Sequence, residues 1–431
     1  MEVKLTKDKV LFFGKNFWPV IRLQIAFSLI HKNQKVQKIV GSGVNKLPKP
    51  AKKFSSLPCE NQLLISHDNY YVEIDGKRYD RVLEKIKKNS SSPIVFNIAD
   101  NSFYLGEDDE PLKNISIQLF LLKGLSFLIG TAFNLIQRNR FKFFERLQII
   151  EPEVNQPIVR GRDIGIRICY VLLLSKYINH LLKAFNINQI YQAMYYDNFG
   201  LATGLAAHNL GLVNHCVQHG GQSENNPAFG SWSVMSDIGF EFLPDYFLCW
   251  NEASSKSIDF WSQKTSKHSS KVIGYSWMEL WKDDLNRKYN SMSLSSNHNP
   301  NILITLQPSV NLKETFLYDF IRSSDLEVNW ILRLHPRQES DTFMIQMKEY
   351  FLESENVCIK SSKDPLPFLM THSKLHVTFF SSSVYEAKFC DLKSVIIDKR
   401  GLDYFPDLLE NGDAEIALEA HELKEIIQKI L

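Results

Sequence analysis

The segment Phe379-Phe-Ser-Ser-Ser-Val-Tyr-Glu-Ala387 ends an apolar, β-type run in three serines and turns at once into a helical pattern. Serine hydroxyls beside the free N–H groups of a helix start suit an anion, phosphate above all. The same residues also suit a plain N-cap with spare hydroxyls. Glu386, one turn on, is placed to accept ribose hydroxyls or to close a capping box on Ser383. Upstream, His335-Pro336-Arg337 follows the run Val328-Asn-Trp-Ile-Leu-Arg-Leu334, and Gln307 ends another run, Asn301–Leu306. Proline stops a strand, the imidazole offers an N–H to a phosphate oxygen, and Arg337 adds a fixed charge. A His-Pro turn or a serine run is common in surface loops. At the ends of neighbouring strands, the two together describe one phosphate-binding rim.

A second set lies in the N-terminal half, in Cys216-Val-Gln-His-Gly-Gly-Gln-Ser223. Gly220 and Gly221 permit a tight turn beside Gln218 and His219, and a histidine that titrates near neutrality suits a general base. A hydrogen-bonded structural histidine in a turn fits the same pattern. In Tyr195-Tyr-Asp-Asn-Phe-Gly200, Asp197 either orients a substrate and assists that base or simply forms the turn. His208, His215 and His219 invite a metal reading, but they fall on a helix, a strand and a loop, so no metal site is predicted. The chain has no P-loop, GxGxxG or GxSxG, so kinase, dehydrogenase and serine-hydrolase readings lack their signatures.

Those loops need strands to hold them. From residue 301 the pattern alternates cleanly between strands at 301–306, 328–334, 356–360, 375–380 and 394–398 and the helices between them, with a closing helix at 417–430. Such alternation predicts a parallel, doubly wound sheet, in which ligands bind beyond the carboxyl ends of the strands. The N-terminal half predicts strands at 10–14, 38–43, 92–97, 187–191, 212–217 and 246–250, a hairpin turning at Asp75-Gly76, and a helix over 164–184. Asn286–Pro300 is Ser/Asn-rich and aperiodic and reads as a linker, giving domains at 1–285 and 301–431.

One stretch fits neither domain's texture. Residues 116–136 are almost wholly apolar, broken by Gln118, Lys123 and Asn134, and Arg138-Asn-Arg-Phe-Lys-Phe-Phe-Glu-Arg146 follows with mixed basic and aromatic residues. A buried helix followed by an amphipathic surface helix is the plain reading; the functional one is an insertion that docks on an anionic membrane.

Composition bounds the answer. The 431 residues carry 50 basic and 48 acidic side chains, a net charge of +2, which argues against a nucleic-acid-coating protein. Six scattered cysteines with no CxxC pair, and a start without a secretion pattern, predict a reducing cytoplasmic setting.

The ordered set Asp197, Gln218-His219-Gly220, Pro244-Asp-Tyr-Phe-Leu-Cys-Trp-Asn-Glu252, Val272-Ile-Gly274, His335-Pro336, Ser381–Ser383 and Tyr385-Glu-Ala387 resembles GT-B-fold glycosyltransferases of bacterial capsule and lipopolysaccharide synthesis. Two branches are similar: the CMP-sugar users (sialyl, Kdo and other nonulosonate transferases) and the CDP-glycerol or CDP-ribitol polyolphosphate transferases. Residues from about 185 to 412 carry the likeness; the first 150 do not. The resemblance implies an α/β protein of two Rossmann-like domains facing a central cleft. It implies a nucleotide-activated sugar, CMP-linked in the first branch, as donor, and a glycan or lipid-linked glycan as acceptor. No cofactor or metal is implied; charge balance predicts no nucleic-acid partner, and the cysteines and N-terminal pattern predict a cytoplasmic setting, peripheral on the inner face of the plasma membrane where residues 116–146 dock. Donor binding would fall to Gln307, His335, Arg337, Ser381, Ser382, Ser383 and Glu386, with His219, Asp197 and His335 catalytic and Gln218, Gly220 and Gly221 in the acceptor loop. A non-catalytic nucleotide- or glycan-binding subunit is the alternative of a different class.

Overall fold

The computed structural model describes residues 11–12, 15–30, 61–74, 76–106, 110–137, 139, 161–222, 226–230, 232, 238–282, 298–308 and 310–431. The predicted strand at 38–43, nearly all of the basic-aromatic run at 138–146 and most of the 286–300 linker lie outside them. The chain forms two compact units, Met1–Asp68 with Val82–Gly274 and Asn69–Arg81 with Tyr275–Leu431.

The first unit is built on an eight-stranded sheet. In chain order its strands are β1 (Asn61–Ser66), β2 (Pro93–Asn97), β3 (Ser102–Leu105), β4 (Lys113–Asn114), β5 (Ile187–Gln192), β6 (Val213–Val217), β7 (Tyr246–Cys249) and β8 (Ser269–Val272). They lie in the order β8-β7-β6-β5-β1-β2-β3-β4. Every pair from β8 to β2 is parallel, and β3 and β4 add an antiparallel edge. Leu11–Phe12, predicted as part of a sheet strand, instead pairs with Lys15–Asn16 in a small antiparallel hairpin ahead of helix α1 (Trp18–Ile30). Helices α2 (Ser116–Ile136), α3 (Gly161–Ala184), α4 (Asn198–Leu210) and α5 (Glu252–Ser262) complete the unit. The winding reverses between β1 and β5, the first strands on either side of the switch.

Helix α2 corrects one expectation. Only Leu119, Ser126 and Gly130 of its 21 residues are buried, so the predicted core helix is largely a surface element.

The second unit carries six parallel strands rather than the five predicted: β9 (Asn301–Thr305), β10 (Asn329–Arg333), β11 (Val357–Lys360), β12 (Leu375–Thr378), β13 (Ser394–Ile396) and β14 (Ala414–Ile416). The extra strand, β14, is only three residues long and contains Glu415, so its sequence shows no apolar run. The order β11-β10-β9-β12-β13-β14 is, counted within the unit, 3-2-1-4-5-6, the Rossmann arrangement. All five residues of β10 are buried, as a central parallel strand covered on both faces requires. Helices α6 (Phe316–Ser323), α7 (Asp341–Tyr350), α8 (Ser383–Phe389) and α9 (Ala420–Ile430) pack around it. Leu423 and Ile427 of α9 join Ile302, Trp330, Leu332 and Val377 in one core.

The hairpin predicted at Asp75-Gly76 is present as Tyr71–Ile74 paired with Lys77–Asp80, with Gly76 at φ +73°. It belongs to the second unit although the chain enters it from the first. The Tyr79 ring sits 6.5 Å from Trp277, and Arg81 N–H donates to Tyr70 O at 2.9 Å.

Candidate functional site

In a 3-2-1-4-5-6 sheet the switch point falls between the first and fourth strands, here β9 and β12, and the ligand crevice opens at their carboxyl ends. The loop after β9 holds Gln307 and the loop after β12 holds Ser381–Ser383; His335 and Arg337 follow β10, next in the sheet. The fold therefore collects at one edge the residues singled out in the C-terminal half.

Their side chains divide into those that hold the loops and those left to meet a ligand. Gln307 ties three loops together: its Oε1 accepts Phe380 N–H at 2.9 Å, and its carbonyl accepts Gln338 Nε2 at 3.3 Å. Ser383 also turns inward. It is 4% exposed, and its Oγ lies 3.1 Å from Thr305 Oγ1 and 3.3 Å from Nε2 of the buried His376. His376 is bonded to Ser394 Oγ through Nδ1 and held at about 3 by burial, so it is a neutral core histidine. Of the three serines, Ser381 and Ser382 remain at the surface of the loop, partly exposed. Ser382 is the N-cap residue of α8 with no side-chain cap bond, and Ser381 Oγ accepts Ser383 N–H at 3.2 Å. Glu386 makes no capping box; its Oε1 accepts the Tyr275 hydroxyl at 2.7 Å.

His335 caps the short 3-10 turn Pro336–Gln338. Its Nδ1 accepts Arg337 N–H at 3.0 Å, while its own backbone N–H donates to Gln338 Oε1 at 3.1 Å. Burial and the charges of Arg337, Arg333 and Arg81 lower its pKa to about 4, so the ring is neutral at physiological pH.

Two of those arginines belong to no motif in the sequence. Arg333, the last residue of β10, is 6% exposed; its guanidinium reaches Ser362 O at 2.6 Å and Asp364 O at 3.1 and 3.2 Å. Burial pulls its pKa down to about 10, leaving it a cation. The one signal was a charge inside the apolar run Trp330-Ile-Leu-Arg-Leu334. Arg81 comes from the hairpin and donates to the carbonyls of Asn69 and Tyr70. The nearby carboxylates are engaged by neutral donors: Glu339 by Ser361 Oγ and Ser362 N–H, Asp364 by Ser361 N–H, Glu386 by Tyr275. Among the described residues, none of Arg81, Arg333 and Arg337 forms an ion pair within 4.0 Å. By contrast Arg400, the first residue of the short helix Arg400–Tyr404 after β13, is forked onto Asp398 at 2.8 and 2.6 Å. The edge thus holds three arginines without a direct ion pair beside a neutral imidazole, with Glu386, Asp364 and Glu339 acting on Arg333 only at longer range.

In the first unit, His219 follows β6 and Asp197 follows β5, again beyond carboxyl ends. The Tyr196 hydroxyl lies 3.2 Å from His219 Nε2, and the Phe229 ring borders the imidazole at 6.3 Å. Asp197 is the N-cap of α4, its carboxylate accepting Gly200 N–H at 2.5 Å. Only glycine fits there: a Cβ at Gly200 would lie 2.5 Å from Met194 O. Desolvation raises Asp197 to about 6 against the opposing pull of Arg167, which is itself lowered to about 10. Gln218 is 1% exposed and fully used, donating to Gly220 O and Ser254 Oγ and accepting Trp250 N–H at 2.7 Å. It holds the β6 and β7 loops in place. Neither Gly220 nor Gly221 takes a positive φ, and Gly221 O accepts Asn226 Nδ2 at 3.1 Å.

The histidines suggested by a metal reading do not converge. His208 contacts Lys267 and Glu241, whereas His215 is stacked on Tyr191 at 4.4 Å with Nδ1 at Ile190 O. Among the described residues no three His, Cys, Asp or Glu side chains gather as a metal set.

No family model matches the sequence, and no curated protein matches it. Solved structures do. UDP-GlcNAc 2-epimerase from Methanocaldococcus jannaschii matches with 14% identity over 86% of this chain and 92% of that one, at a TM-score of 0.49. The Neisseria meningitidis UDP-GlcNAc 2-epimerase bound to UDP-GlcNAc gives 13%, 86%, 91% and 0.48. An E. coli heptosyltransferase with ADP-2-deoxy-2-fluoro heptose gives 11% over 59% of this chain and 76% of that one, at 0.34. At these identities and scores the likeness assigns no substrate and no reaction.

Proposed function

We propose that this chain is a GT-B-type, metal-independent glycosyltransferase that takes a nucleotide-activated sugar as donor in its C-terminal Rossmann unit. The observation that carries the reading is the concentration of Arg81, Arg333, Arg337 and a neutral His335 at the switch-point edge, with no carboxylate paired to the arginines. Such a field suits the phosphate of a donor, and it stabilises the negative charge that grows on that phosphate as the sugar leaves.

In the reaction the acceptor hydroxyl attacks the anomeric carbon, the bond from that carbon to the phosphate oxygen breaks, and the nucleotide departs as an anion. His219 takes the hydroxyl proton. His335 donates Nε2–H to the leaving phosphate, with Ser381 and Ser382 as further donors. Asp197 acts only through the start of α4, as a positioning residue.

The donor is a CMP-linked nonulosonate such as Kdo or a sialic acid, the acceptor a glycan or lipid-linked glycan, and the product a capsule or lipopolysaccharide built on the cytoplasmic side. This rests on the motif order and not on the geometry. The Gln218-His219-Gly220 motif equally favours the second reading, transfer of a polyolphosphate from CDP-glycerol or CDP-ribitol.

The experiment incubates the purified full chain with CMP-sugars and CDP-polyols, in EDTA, and identifies products by mass spectrometry. Transfer from CMP-sugars supports the first reading and transfer from CDP-polyols the second. Nucleotide binding without turnover makes the chain a binding subunit, and neither binding nor turnover ends the proposal. His219→Ala is expected to abolish transfer while leaving nucleotide binding intact.

A further inference from the structure

Helix α2 is built inside out for a water-exposed helix. A surface helix ordinarily turns its polar side chains to solvent and its apolar stripe to the core. Here Gln118 Oε1, Thr131 Oγ1 and Asn134 Oδ1 are shielded from solvent, while Phe120, Leu128, Leu135 and Ile136 are 76, 67, 71 and 78% exposed. Ile117, Leu121, Leu125, Phe127 and Ile129 widen the apolar face.

The helix is also long and apolar enough by composition to cross a membrane. Its packing argues for another geometry. Leu119, Ser126 and Gly130 seat it lengthwise, and at Gly130 a Cβ would lie 2.6 Å from the Ile166 Cα, so the backbones of α2 and α3 nearly touch. A helix fastened along its flank to a sheet domain offers its opposite side to a surface, lying parallel to it.

We propose that the exposed face of α2 seats this protein on the surface of an anionic lipid bilayer. Charge selects that occupant over a second copy of the chain. Helix α2 contains no acidic residue and its charge is Lys123; on the neighbouring α3, Arg162, exposed beside Asp163, holds its guanidinium 4.8 Å from the Phe127 ring. Long cationic side chains beside an apolar stripe reach lipid phosphates while their stems lie on the apolar surface. Pairing two copies through this face would set the same cations against each other. The sequence after α2 keeps the sign, with Arg138, Arg140, Lys142 and Arg146 against Glu145 alone. The docking stands apart from the transfer chemistry: the lipid experiment reads binding and needs no donor.

The test is co-sedimentation of the full chain with vesicles of phosphatidylcholine alone and of phosphatidylcholine with phosphatidylglycerol. Binding is expected to the anionic vesicles and to weaken with salt. Leu128→Glu should weaken it about tenfold or more, the scale of losing one buried leucine, and Lys123→Glu about fivefold. Ile345→Glu, on an exposed position of α7, should leave it unchanged. Because Leu128→Glu can also disturb folding, Phe120→Trp supplies an independent readout: the fluorescence of the introduced indole should be quenched by brominated lipid. Absence of binding to anionic vesicles, binding that Leu128→Glu leaves intact in a folded protein, or an indole signal that brominated lipid leaves unquenched would overturn the proposal. So would a dimer that Leu128→Glu makes monomeric while vesicle binding persists.

Discussion

His335 Nδ1 accepts the backbone N–H of Arg337 at 3.0 Å, and that bond decides which face of the imidazole can act. With Nδ1 occupied as an acceptor, the neutral ring carries its proton on Nε2. Burial and three arginine charges hold the pKa near 4, so the ring waits as a neutral N–H donor.

A bound phosphate reverses that balance, since an adjacent anion favours the imidazolium, and the second proton enters at Nδ1 as that atom gives up its bond from Arg337 N–H. Nucleotide binding at about pH 6 should therefore draw in roughly half a proton at His335 if the pKa climbs to about 6. Calorimetry in buffers of different ionisation enthalpy measures the uptake. His335→Gln should reduce it by that amount, and equal uptake in the two proteins would remove His335 from the phosphate. The difference is the quantity to read, because a terminal phosphate titrates in the same range. Loss of this donor should also lower turnover about a hundredfold, the scale for one transition-state hydrogen bond.

The serine run separates into unequal members. Ser383 completes a buried network with Thr305 and His376, so Ser383→Ala leaves buried polar atoms short of a partner. It should destabilise the fold by about 1–2 kcal/mol and leave nucleotide affinity intact. Ser381→Ala, at a partly exposed position, should do the opposite. Thermal melts with and without nucleotide distinguish the two.

That division shows what the sequence could and could not carry. The alternation of strands and helices after residue 301 made the parallel sheet and its loop ends legible, because buried parallel strands are apolar runs. It could not tell Ser383 from Ser381: both follow the same strand, and only the pleat and the start of α8 decide which one points inward. Likewise Gln218 has the amide group of a ligand-binding residue, yet it spends its bonds on neighbouring loops, and the Gln307 amide oxygen goes to Phe380 N–H. Arg81 was illegible for another reason. The hairpin that carries it groups with the second unit although it lies in the middle of the first unit's sequence, and no local pattern records such a crossing. β14 was missed because a three-residue edge strand bears no apolar run to detect.

Arg333 should prove structural and electrostatic at once. Its fork bonds the carbonyls of Ser362 and Asp364, fixing the loop after β11. Arg333→Met should destabilise the protein by about 1.5–3 kcal/mol, the range for hydrogen bonds to a charged group, and should weaken nucleotide binding through the lost charge. Arg333→Lys restores the charge without the fork. It should recover affinity more than melting temperature, as chemical denaturation and nucleotide titration can establish together.

Asp197 gives a prediction whose sign is set by its environment. Its folded pKa, about 6, lies above the ordinary 3.8, because desolvation outweighs the pull of Gly200 N–H and Arg167. A carboxyl whose pKa rises on folding binds its proton more tightly in the native state. Its contribution to stability is fully present below the unfolded pKa and is lost as pH climbs from there through about 6. That shift corresponds to a loss on the order of 3 kcal/mol by pH 7. Asparagine caps a helix about as well as aspartate and carries no charge to desolvate. Asp197→Asn should therefore be less stable than the parent, or equal to it, near pH 4 and should gain on it steadily toward pH 7. Denaturation curves across that range measure the crossing. A gap between parent and variant that does not change with pH would mean that Arg167 compensates the Asp197 charge in full, making the pair an ion bridge and not a desolvated cap.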